Sequence, residues 1–529
     1  MLTYFRPCVS ALQQPISPWL LGLYSFIAGI ITQLSFAPFH APGLGLSGLV
    51  LLFYCLHAEY RRYLPVLIGF SYGLGFYGLG LSWLYPTLKS DVLSLQITYL
   101  LFIVIFLIFL SLYSVVLMQG YVWLNPKNSS KLQRALSFSA LWVLLEYARA
   151  HFFTGFPWFL LGIGQIDSPL KSTIPIIGIY GSSFITCFIA SCFFYALTAE
   201  RAQKWRWLTA GSMLMLAPLL ISNHHWTKES PDSLSIGIIQ TNRDYSGSLD
   251  KAQILSTWHG YEEKIRALKD ADLIVMPESA FPYQTNALSA AFRQFHDFLI
   301  QNHLAVLLGT YILHSNPERV LERYNTHITL GRAQGSYYKR HLVPFTEYIP
   351  APFKSLARWL HVPDGHIIPG SAQQPLLSIH HHPVASLNCY EVAFDHLLRA
   401  QVPEAEWIVT LMNIGERKHP WLMYQELQMA QVRSLQTGRY QIASSNKGGS
   451  AVFNTLGEVV AQLPAFTEAL LTATIKPATG STPWVRFGDL PIMLLICGLL
   501  GMQISGCSYR FVRRMLLTRL STQAAEVKA

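Results

Sequence analysis

The sequence predicts a multi-span α-helical membrane domain joined to an α/β layered extracytoplasmic domain. Of its 529 residues, 51% are hydrophobic and only 13% are charged, a balance that does not fit one ordinary soluble domain. The apolar residues lie in long runs, whereas one polar block from about Ser222 to Asp489 alternates between strand and helix patterns. We therefore expect a membrane domain at 1–222, a polar α/β domain at 223–488, and a final span with a basic tail at 489–529.

Eight apolar runs are candidate membrane spans. Several have nearly the roughly 20 residues that a helix needs to cross the hydrocarbon core, although the second and fifth are short and could be tilted or partly interfacial. No small-residue cleavage site follows the first run, so we expect it to be a retained anchor. The runs are Trp19–Phe36, Leu44–His57, Leu64–Tyr85, Val92–Met118, Ala135–Ala150, Ile174–Leu197, Trp205–Ser222 and Leu490–Gly506.

The distribution of Lys and Arg predicts the orientation, because positively charged loops stay in the cytoplasm. With the N-terminus inside, the loops expected outside carry few cations, among them Lys89 and Lys171. The polar block then lies outside the cytoplasm. The net charge of +10 follows largely from cytoplasmic loops, so we expect no nucleic-acid partner. The cytoplasmic cations are Arg61, Arg62, Lys127, Lys131, Arg134, Arg201, Lys204, Arg206, Arg510, Arg513, Arg514 and Arg519.

The polar block has the pattern of an α/β layered domain. Several of its strand-like runs are apolar on both faces, which predicts sheets covered on one side by helices and on the other by a second layer. Helical periodicity fits 251–269, 287–302 and 423–435. The predicted strands are 235–240, 272–276, 305–310, 325–330, 384–388, 407–412, 440–445 and 470–475. Catalytic groups are expected at strand ends and in the loops beyond them.

Three residues of the polar block supply the groups needed for acyl transfer through a thioester. Glu278 follows a strand in VMPESAFP, Lys339 lies in GSYYKRHLVPFTEYIP, and Cys389 follows a strand in SLNCYEVAF. A free thiol is mostly protonated at neutral pH, so a base such as Glu278 and a cation such as Lys339 would assist it. Each residue also has an ordinary structural interpretation: a solvated Glu or Lys, and a small buried Cys. Among seven cysteines, only Cys389 lies in the polar block.

With their flanks, these residues resemble the apolipoprotein N-acyltransferases, the membrane-embedded branch of the nitrilase superfamily. The resemblance rests on the PES of Glu278, on the YYKRHLVPFTEYIP run with Lys339 and Glu347, and on the Cys-Tyr-Glu that begins at Cys389. In the apolar half, GFSYGLGFYGLGLSWLY and TGFPWFLLGIGQ are similar to the same family. The resemblance covers nearly the whole chain.

The resemblance implies a nitrilase-like αββα sandwich and a ping-pong reaction in the inner membrane of a Gram-negative bacterium, with the catalytic domain in the periplasm. Cys389 would take an acyl chain from a phospholipid, and the α-amine of a diacylglyceryl-cysteine on an apolipoprotein would then accept it. Glu278 would be the general base, Lys339 the oxyanion stabiliser, and Glu347 a supporting carboxylate. Tyr390 and Glu391 would shape the pocket behind the nucleophile.

Two segments depart from the family pattern. The family usually carries an Asn-Asp-x-Trp-Phe-like segment after the strand that follows the nucleophile, whereas here Asn413 is followed by IGERKHPWLMYQE. Relatives often place a Trp that covers the active site near the position of Tyr245, and this chain has none there. We therefore expect substrate entry to differ from that of relatives.

Two further classes of function remain open. A membrane-anchored hydrolase of the same superfamily would discharge the thioester to water, and a transporter or receptor would use its outer domain only to bind a ligand. Besides phospholipid, apolipoprotein and membrane lipid, we expect no partner and a monomeric chain. We expect no cofactor and no metal, since the run His380–His382 has no acidic or Cys partners at ligand spacing.

Overall fold

The computed structural model describes residues 16–58, 64–88, 93–126, 129–243, 251–284, 289–315, 321–359, 362, 365–413 and 419–505. Each of the eight predicted spans contains a helix. Two helices, at Leu95–Leu124 and Pro169–Thr198, are long and apolar enough to cross a membrane. The α-helices of this part are Pro18–Gln33, Pro42–Ala58, Leu64–Gly80, Leu84–Thr87, Leu93–Leu124, Lys131–His151, Ile174–Thr198, Arg201–Leu216 and Leu490–Ser505. Short 3₁₀ helices occur at Ile163–Gln165, Pro169–Thr173 and Ala217–Ile221.

Glycines allow two of these helices to approach each other closely. A Cβ added to Gly29 would lie 2.2 Å from the carbonyl oxygen of Tyr72, and one added to Gly75 would lie 2.1 Å from that of Phe26. The helices Pro18–Gln33 and Leu64–Gly80 are therefore in backbone contact at both points. Small residues at helix crossings are common where lipid, rather than water, surrounds the helices.

The polar block forms two large sheets within the described residues. Their strands are β2 Leu234–Gln240, β3 Leu273–Val275, β4 Phe281–Gln284, β5 Ala305–Ser315, β6 Leu321–Gly331, β7 Ser336–Tyr338, β8 Leu377–Ile379, β9 His382–Asn388, β10 Trp407–Met412, β11 Gln441–Ser445, β12 Ala451–Phe453, β13 Val459–Gln462 and β14 Ala469–Ile475. One sheet has the strand order β13-β12-β11-β10-β9-β8 and the other β14-β2-β3-β5-β6-β7, with β4 paired to β5. The strands β2, β3 and β5 are mutually parallel, and so are β9, β10 and β11. A small pair joins β1 Lys228–Glu229 to β15 Ala478–Thr479.

The two sheets face each other and carry helices on their outer surfaces. Ile238 and Leu307 of one sheet meet Val409 and Ile442 of the other in a buried apolar layer. The outer face of the β2-containing sheet packs on the helices Lys251–Ala267 and Ser289–Gln301. The result is the helix–sheet–sheet–helix order that the sequence predicts. The remaining α-helices are Lys354–Trp359, Asp395–Arg399, Trp421–Thr437 and Pro483–Phe487, and 3₁₀ helices lie at Ala351–Phe353 and Cys389–Ala393.

All eight predicted strands and all three predicted helices of the block are present. The strands β5 and β6 are longer than predicted, since their paired ends extend beyond the apolar runs. The helix Trp421–Thr437 lies between the second sheet and the helices of the apolar half. Its residues Met423 and Leu427 share one apolar core with Phe76 and Phe159. This contact places one edge of the α/β domain directly on the apolar half of the chain.

Candidate active site

The structure brings Glu278, Lys339 and Glu347 together in one buried cluster. The Lys339 ammonium Nζ lies 2.9 Å from Oε1 of Glu347 and 3.8 Å from Oε1 of Glu278. Asn325, on β6, donates from Nδ2 to both carboxylates, at 2.8 Å to Glu278 and 3.1 Å to Glu347. One ammonium group and one amide therefore orient two carboxyl groups that are largely removed from water, and the ammonium group offsets part of their charge.

Glu278 and Lys339 each lie just beyond the end of a strand. Glu278 follows β3 after a proline, Lys339 follows β7, and the backbone N–H of Lys339 donates to the carbonyl of Asn325 at 2.9 Å. Glu347 belongs to a loop that it holds closed, because its Oε2 accepts the Val343 N–H at 2.8 Å. The strand ends thus converge on one pocket, as the sequence predicts for an α/β domain.

Cys389 lies at the end of β9, where the chain turns into the 3₁₀ helix Cys389–Ala393. Its φ angle is 51°, a left-handed conformation that residues other than glycine rarely adopt. Cys389 as a whole residue is partly buried. The thiol donates a hydrogen bond to Oε1 of Glu426 at 3.7 Å. It is also close enough to the Glu278 carboxylate for each group to affect the pKa of the other. Cys389 therefore has two carboxyl neighbours.

Burial and neighbouring charges set the protonation of these groups. Burial raises the pKa of the Cys389 thiol well above its ordinary value, Glu278 and Glu426 raise it further, and Lys339 opposes them. Burial likewise raises the pKa of Glu278, which Lys339 lowers. Although burial acts to lower it, Glu347 and Glu278 raise the pKa of Lys339 well above its ordinary value. The resting site holds a charged lysine and a neutral thiol.

Glu391 forms hydrogen bonds with two parts of the site, the turn that carries Cys389 and the strand end that carries Lys339. Its Oε2 accepts the backbone N–H of Asn388 and the hydroxyl of Tyr337, both at 2.8 Å. Its Oε1 accepts the N–H groups of Arg340 and His341, at 2.7 and 2.9 Å. This buried carboxylate thus fixes the spacing between the thiol and the ammonium group.

Tyr390 points from the turn that carries Cys389 into the apolar half of the chain. Its ring stacks on Trp158 with centroids 5.3 Å apart, and its hydroxyl donates to the Gly155 carbonyl at 3.2 Å. Trp158 is only 1% exposed, so the TGFPWF segment is not a belt of lipid-facing aromatic residues. It forms the junction between the α/β domain and the helices below it.

Glu146 and Arg149 support this junction. The sequence spacing suggests that they could pair with each other, but in the structure each forms hydrogen bonds with the backbone of the 156–161 segment. Glu146 Oε1 accepts the Leu161 N–H at 2.8 Å, and Arg149 donates to the Phe156 carbonyl at 2.8 Å. Both side chains thus hold the loop that lies beneath the Cys389 turn.

Two residues of the site are missing from the sequence-based set. Asn325 and Glu426 contact the predicted residues only through tertiary structure, from β6 and from the helix Trp421–Thr437. Glu426 is one of several polar residues that the helix Trp421–Thr437 buries, together with Gln425 and Gln428. The divergent loop at 414–418 and Tyr245 lie outside the described residues.

Each of the two halves of the chain is similar to a known protein family. Residues 28–192 match the family model of the apolipoprotein N-acyltransferase N-terminal domain, and residues 235–483 match that of carbon-nitrogen hydrolases. An apolipoprotein N-acyltransferase of Coxiella burnetii is 30% identical over 485 residues, which cover 90% of this chain and 98% of the relative. The chain belongs to the apolipoprotein N-acyltransferase family. The family predicted from the sequence motifs is thereby confirmed.

Other apolipoprotein N-acyltransferases show the same full-length similarity. The enzyme of Pseudomonas syringae is 29% identical, with 91% of this chain and 96% of the relative covered. The enzyme of Azotobacter vinelandii is 30% identical, with 91% and 94% covered. Among solved structures, an amidase from Nesterenkonia sp. aligns with 49% of this chain and 94% of its own, at 16% identity and a TM-score of 0.36.

Proposed function

We propose that this chain transfers a fatty acyl group from a phospholipid, through a thioester on Cys389, to the α-amine of the N-terminal diacylglyceryl-cysteine of apolipoproteins. The observation that carries this proposal is the placement of the Cys389 thiol near the Glu278–Lys339 ion pair, at the edge of the domain that touches the apolar helices. The membership of the chain in a family of N-acyltransferases supports the reaction class.

In the first half-reaction, Glu278 acts as the general base. It takes the thiol proton while Sγ of Cys389 attacks the ester carbonyl of the phospholipid, and the C–S bond forms. Lys339 and the backbone N–H of Tyr390 stabilise the oxyanion of the tetrahedral intermediate. The C–O bond then breaks, Glu278 returns the proton to the departing alkoxide, and lysophospholipid leaves.

In the second half-reaction, the neutral α-amine of the lipopeptide attacks the thioester. Glu278 takes a proton from the attacking nitrogen, the C–N bond forms, and the C–S bond breaks to free Cys389. Glu347 keeps Lys339 charged and in place through the 2.9 Å ion pair. Tyr390 and Glu391 hold the turn of the nucleophile from its membrane side and its domain side, respectively.

We also propose that the apolar half spans a bilayer several times and that the α/β domain faces the periplasm of a Gram-negative bacterium. An exposed apolar face on the helix Leu93–Leu124 supports the first point, since soluble monomers rarely expose such a surface. The sparsity of cations in the alternate loops supports the second. The exposed side chains are Ile97, Leu100, Leu101, Val104, Ile105, Ile108, Phe109, Leu112 and Val116.

The proposed division into domains follows from these assignments. Residues 1–222 hold lipid substrates beside the thiol, residues 223–488 carry the catalytic groups, and residues 489–529 add a final span and a cytoplasmic tail. The buried contact of Tyr390 with Trp158 supports a direct path from the membrane half to the thiol. We propose that the chain acts as a monomer with phospholipid and apolipoprotein as its substrates.

Mass spectrometry of the purified protein tests the proposal. The protein is incubated first with phospholipid and then with a diacylated lipopeptide, alongside Cys389→Ala and the control Cys497→Ala, which removes an exposed thiol on the last helix. We expect an acyl adduct on Cys389 that disappears as N-acylated peptide appears. Equal discharge without peptide would instead show a hydrolase, and full activity of Cys389→Ala would exclude the covalent mechanism.

A further inference from the structure

The Cys389 thiol has a second carboxyl neighbour that the proposed mechanism does not use. Glu426 projects from the helix Trp421–Thr437, its side chain is buried, and its Oε1 lies 3.7 Å from Sγ. This helix supports the site from the membrane side, because its residue Gln425 binds Trp83 and Trp158. Glu426 therefore approaches the sulfur from a different element than Glu278 does.

The chemistry of thioester discharge requires a proton at the sulfur. The environment that makes the Cys389 thiolate costly to form also makes it a poor leaving group, because burial and the Glu278 carboxylate disfavour its negative charge. Glu278 cannot supply this proton at that moment, since it is taking one from the amine. A separate proton donor within reach of Sγ would remove the difficulty.

We propose that Glu426 is the general acid that protonates Sγ of Cys389 as the acyl group moves to the amine. This assignment rests on the proposed function and adds a catalytic residue to it. As the C–N bond forms and the C–S bond breaks, the amine gives a proton to Glu278 and Glu426 gives its proton to the sulfur. The proton on Glu278 then passes through the thiol to the Glu426 carboxylate, which restores the starting state.

The surroundings of Glu426 keep it protonated for this role. Burial, together with the negative charge of Glu278, raises its pKa to about 8, while Lys339 and the hydrogen bond with Cys389 act to lower it. These three residues are the charged or titratable groups that act on it. Below pH 8 the acid form predominates, and it is lost as the pH rises through that value. The proton donor is thus available at neutral pH and absent in alkaline solution.

The test separates the two half-reactions in Glu426→Gln, which keeps the size of the side chain but cannot give up a proton. Lysophospholipid release with phospholipid alone reports thioester formation, and we expect this rate to change much less than the discharge rate, because the first half-reaction does not use the proton of Glu426. Discharge of the preformed thioester to a diacylated lipopeptide should be roughly 100-fold slower at pH 7, the lower end of the contribution of a positioned acid. The exposed Glu404→Gln serves as the matched control.

The pH profile distinguishes proton donation from a structural role. At each pH, we divide the discharge rate of the unmodified protein by that of Glu426→Gln. Titration of the amine changes both rates equally and therefore cancels in this ratio. We expect this ratio to fall as the pH rises through about 8, and Glu426→Asp to retain part of the discharge rate and the same fall. A constant ratio, or equal loss of both half-reactions, would overturn the assignment. If the unmodified protein forms no thioester, the proposed function itself fails.

Discussion

Gly309 on β5 lies directly against the backbone of Glu278. A Cβ added at Gly309 would stand 2.6 Å from Cα of Glu278 and 2.8 Å from the nitrogen of Ser279, closer than real atoms approach. Ser279 itself has a φ angle of 54°, so the chain bends sharply as it leaves β3. Because residue 309 has no side chain, the backbone at Glu278 can take the position from which we propose that this carboxylate acts on the thiol.

We predict that Gly309→Ala displaces Glu278 and lowers acyl transfer by about 100-fold, since a shift of about 1 Å in a catalytic group has effects of this size. The fold should persist, because the clash is confined to one loop. The control is Gly237→Ala on β2, where the added Cβ would meet at 2.9 Å only the flexible end of Leu268. Lipopeptide acylation and thermal unfolding measure the two properties. Equal activity of both variants would contradict the argument.

Lys339 is predicted to stabilise the fold as well as the reaction. Lys339→Met leaves the carboxylates of Glu278 and Glu347 buried without their cation, a change that typically costs about 3–5 kcal/mol. Removing one of those charges in the double variant Lys339→Met with Glu347→Gln should restore part of the stability while transfer remains absent. Unfolding midpoints of the two single variants and the double variant in detergent measure the coupling. Simply additive losses would contradict a shared charge cluster.

The sequence predicts the strands of the α/β domain well because its apolar runs are long and lie within two sheets. It also predicts that Glu278, Lys339 and Cys389 converge, since strand ends meet at one edge. It does not reveal Asn325 or Glu426, because both contact the site from distant parts of the sequence. Asn325 is 47 residues from Glu278, and Glu426 is 37 residues from Cys389. No local periodicity reports such contacts. The short strands β7 and β8 were missed because three residues carry too little pattern.

Glu391 is predicted to control the geometry of the site without touching substrate. In Glu391→Gln, one of the two oxygens becomes an NH₂ group that would face donors, so at least one of its four hydrogen bonds becomes a donor–donor contact. Charged hydrogen bonds contribute about 1.5–3 kcal/mol each, so we expect a loss of stability of at least about 2 kcal/mol. Thioester formation should slow because the Cys389 turn is no longer held to Lys339.

Denaturant unfolding and lysophospholipid release measure these two effects. The exposed Glu404→Gln is the control for loss of a carboxylate charge on the same domain. Unchanged stability of Glu391→Gln would mean that its hydrogen bonds to Arg340 and His341 are replaced by water. In that case the turn would be held by other contacts, such as the Tyr390 hydroxyl at Gly155.

Gln425 is predicted to hold the α/β domain on the helices beneath it. Its Oε1 accepts the indole N–H groups of Trp83 and Trp158 at 3.1 and 3.2 Å, and its Nε2 donates to the Gly80 carbonyl at 3.0 Å. Gln425→Leu would leave these buried groups without partners, at about 1–3 kcal/mol each. Because Trp158 stacks on Tyr390, the loosened contact should also slow thioester formation.

Hydrogen exchange and limited proteolysis of the 154–165 segment measure this loosening. The matched control is Gln431→Leu on the same helix, which removes a single bond to the Gly457 carbonyl within the α/β domain. We expect faster exchange at 154–165 and slower acylation in Gln425→Leu, with neither change in Gln431→Leu. Identical exchange in both variants would show that apolar packing alone holds the junction. The hydrogen bonds of Gln425 would then result from the domain contact and would not maintain it.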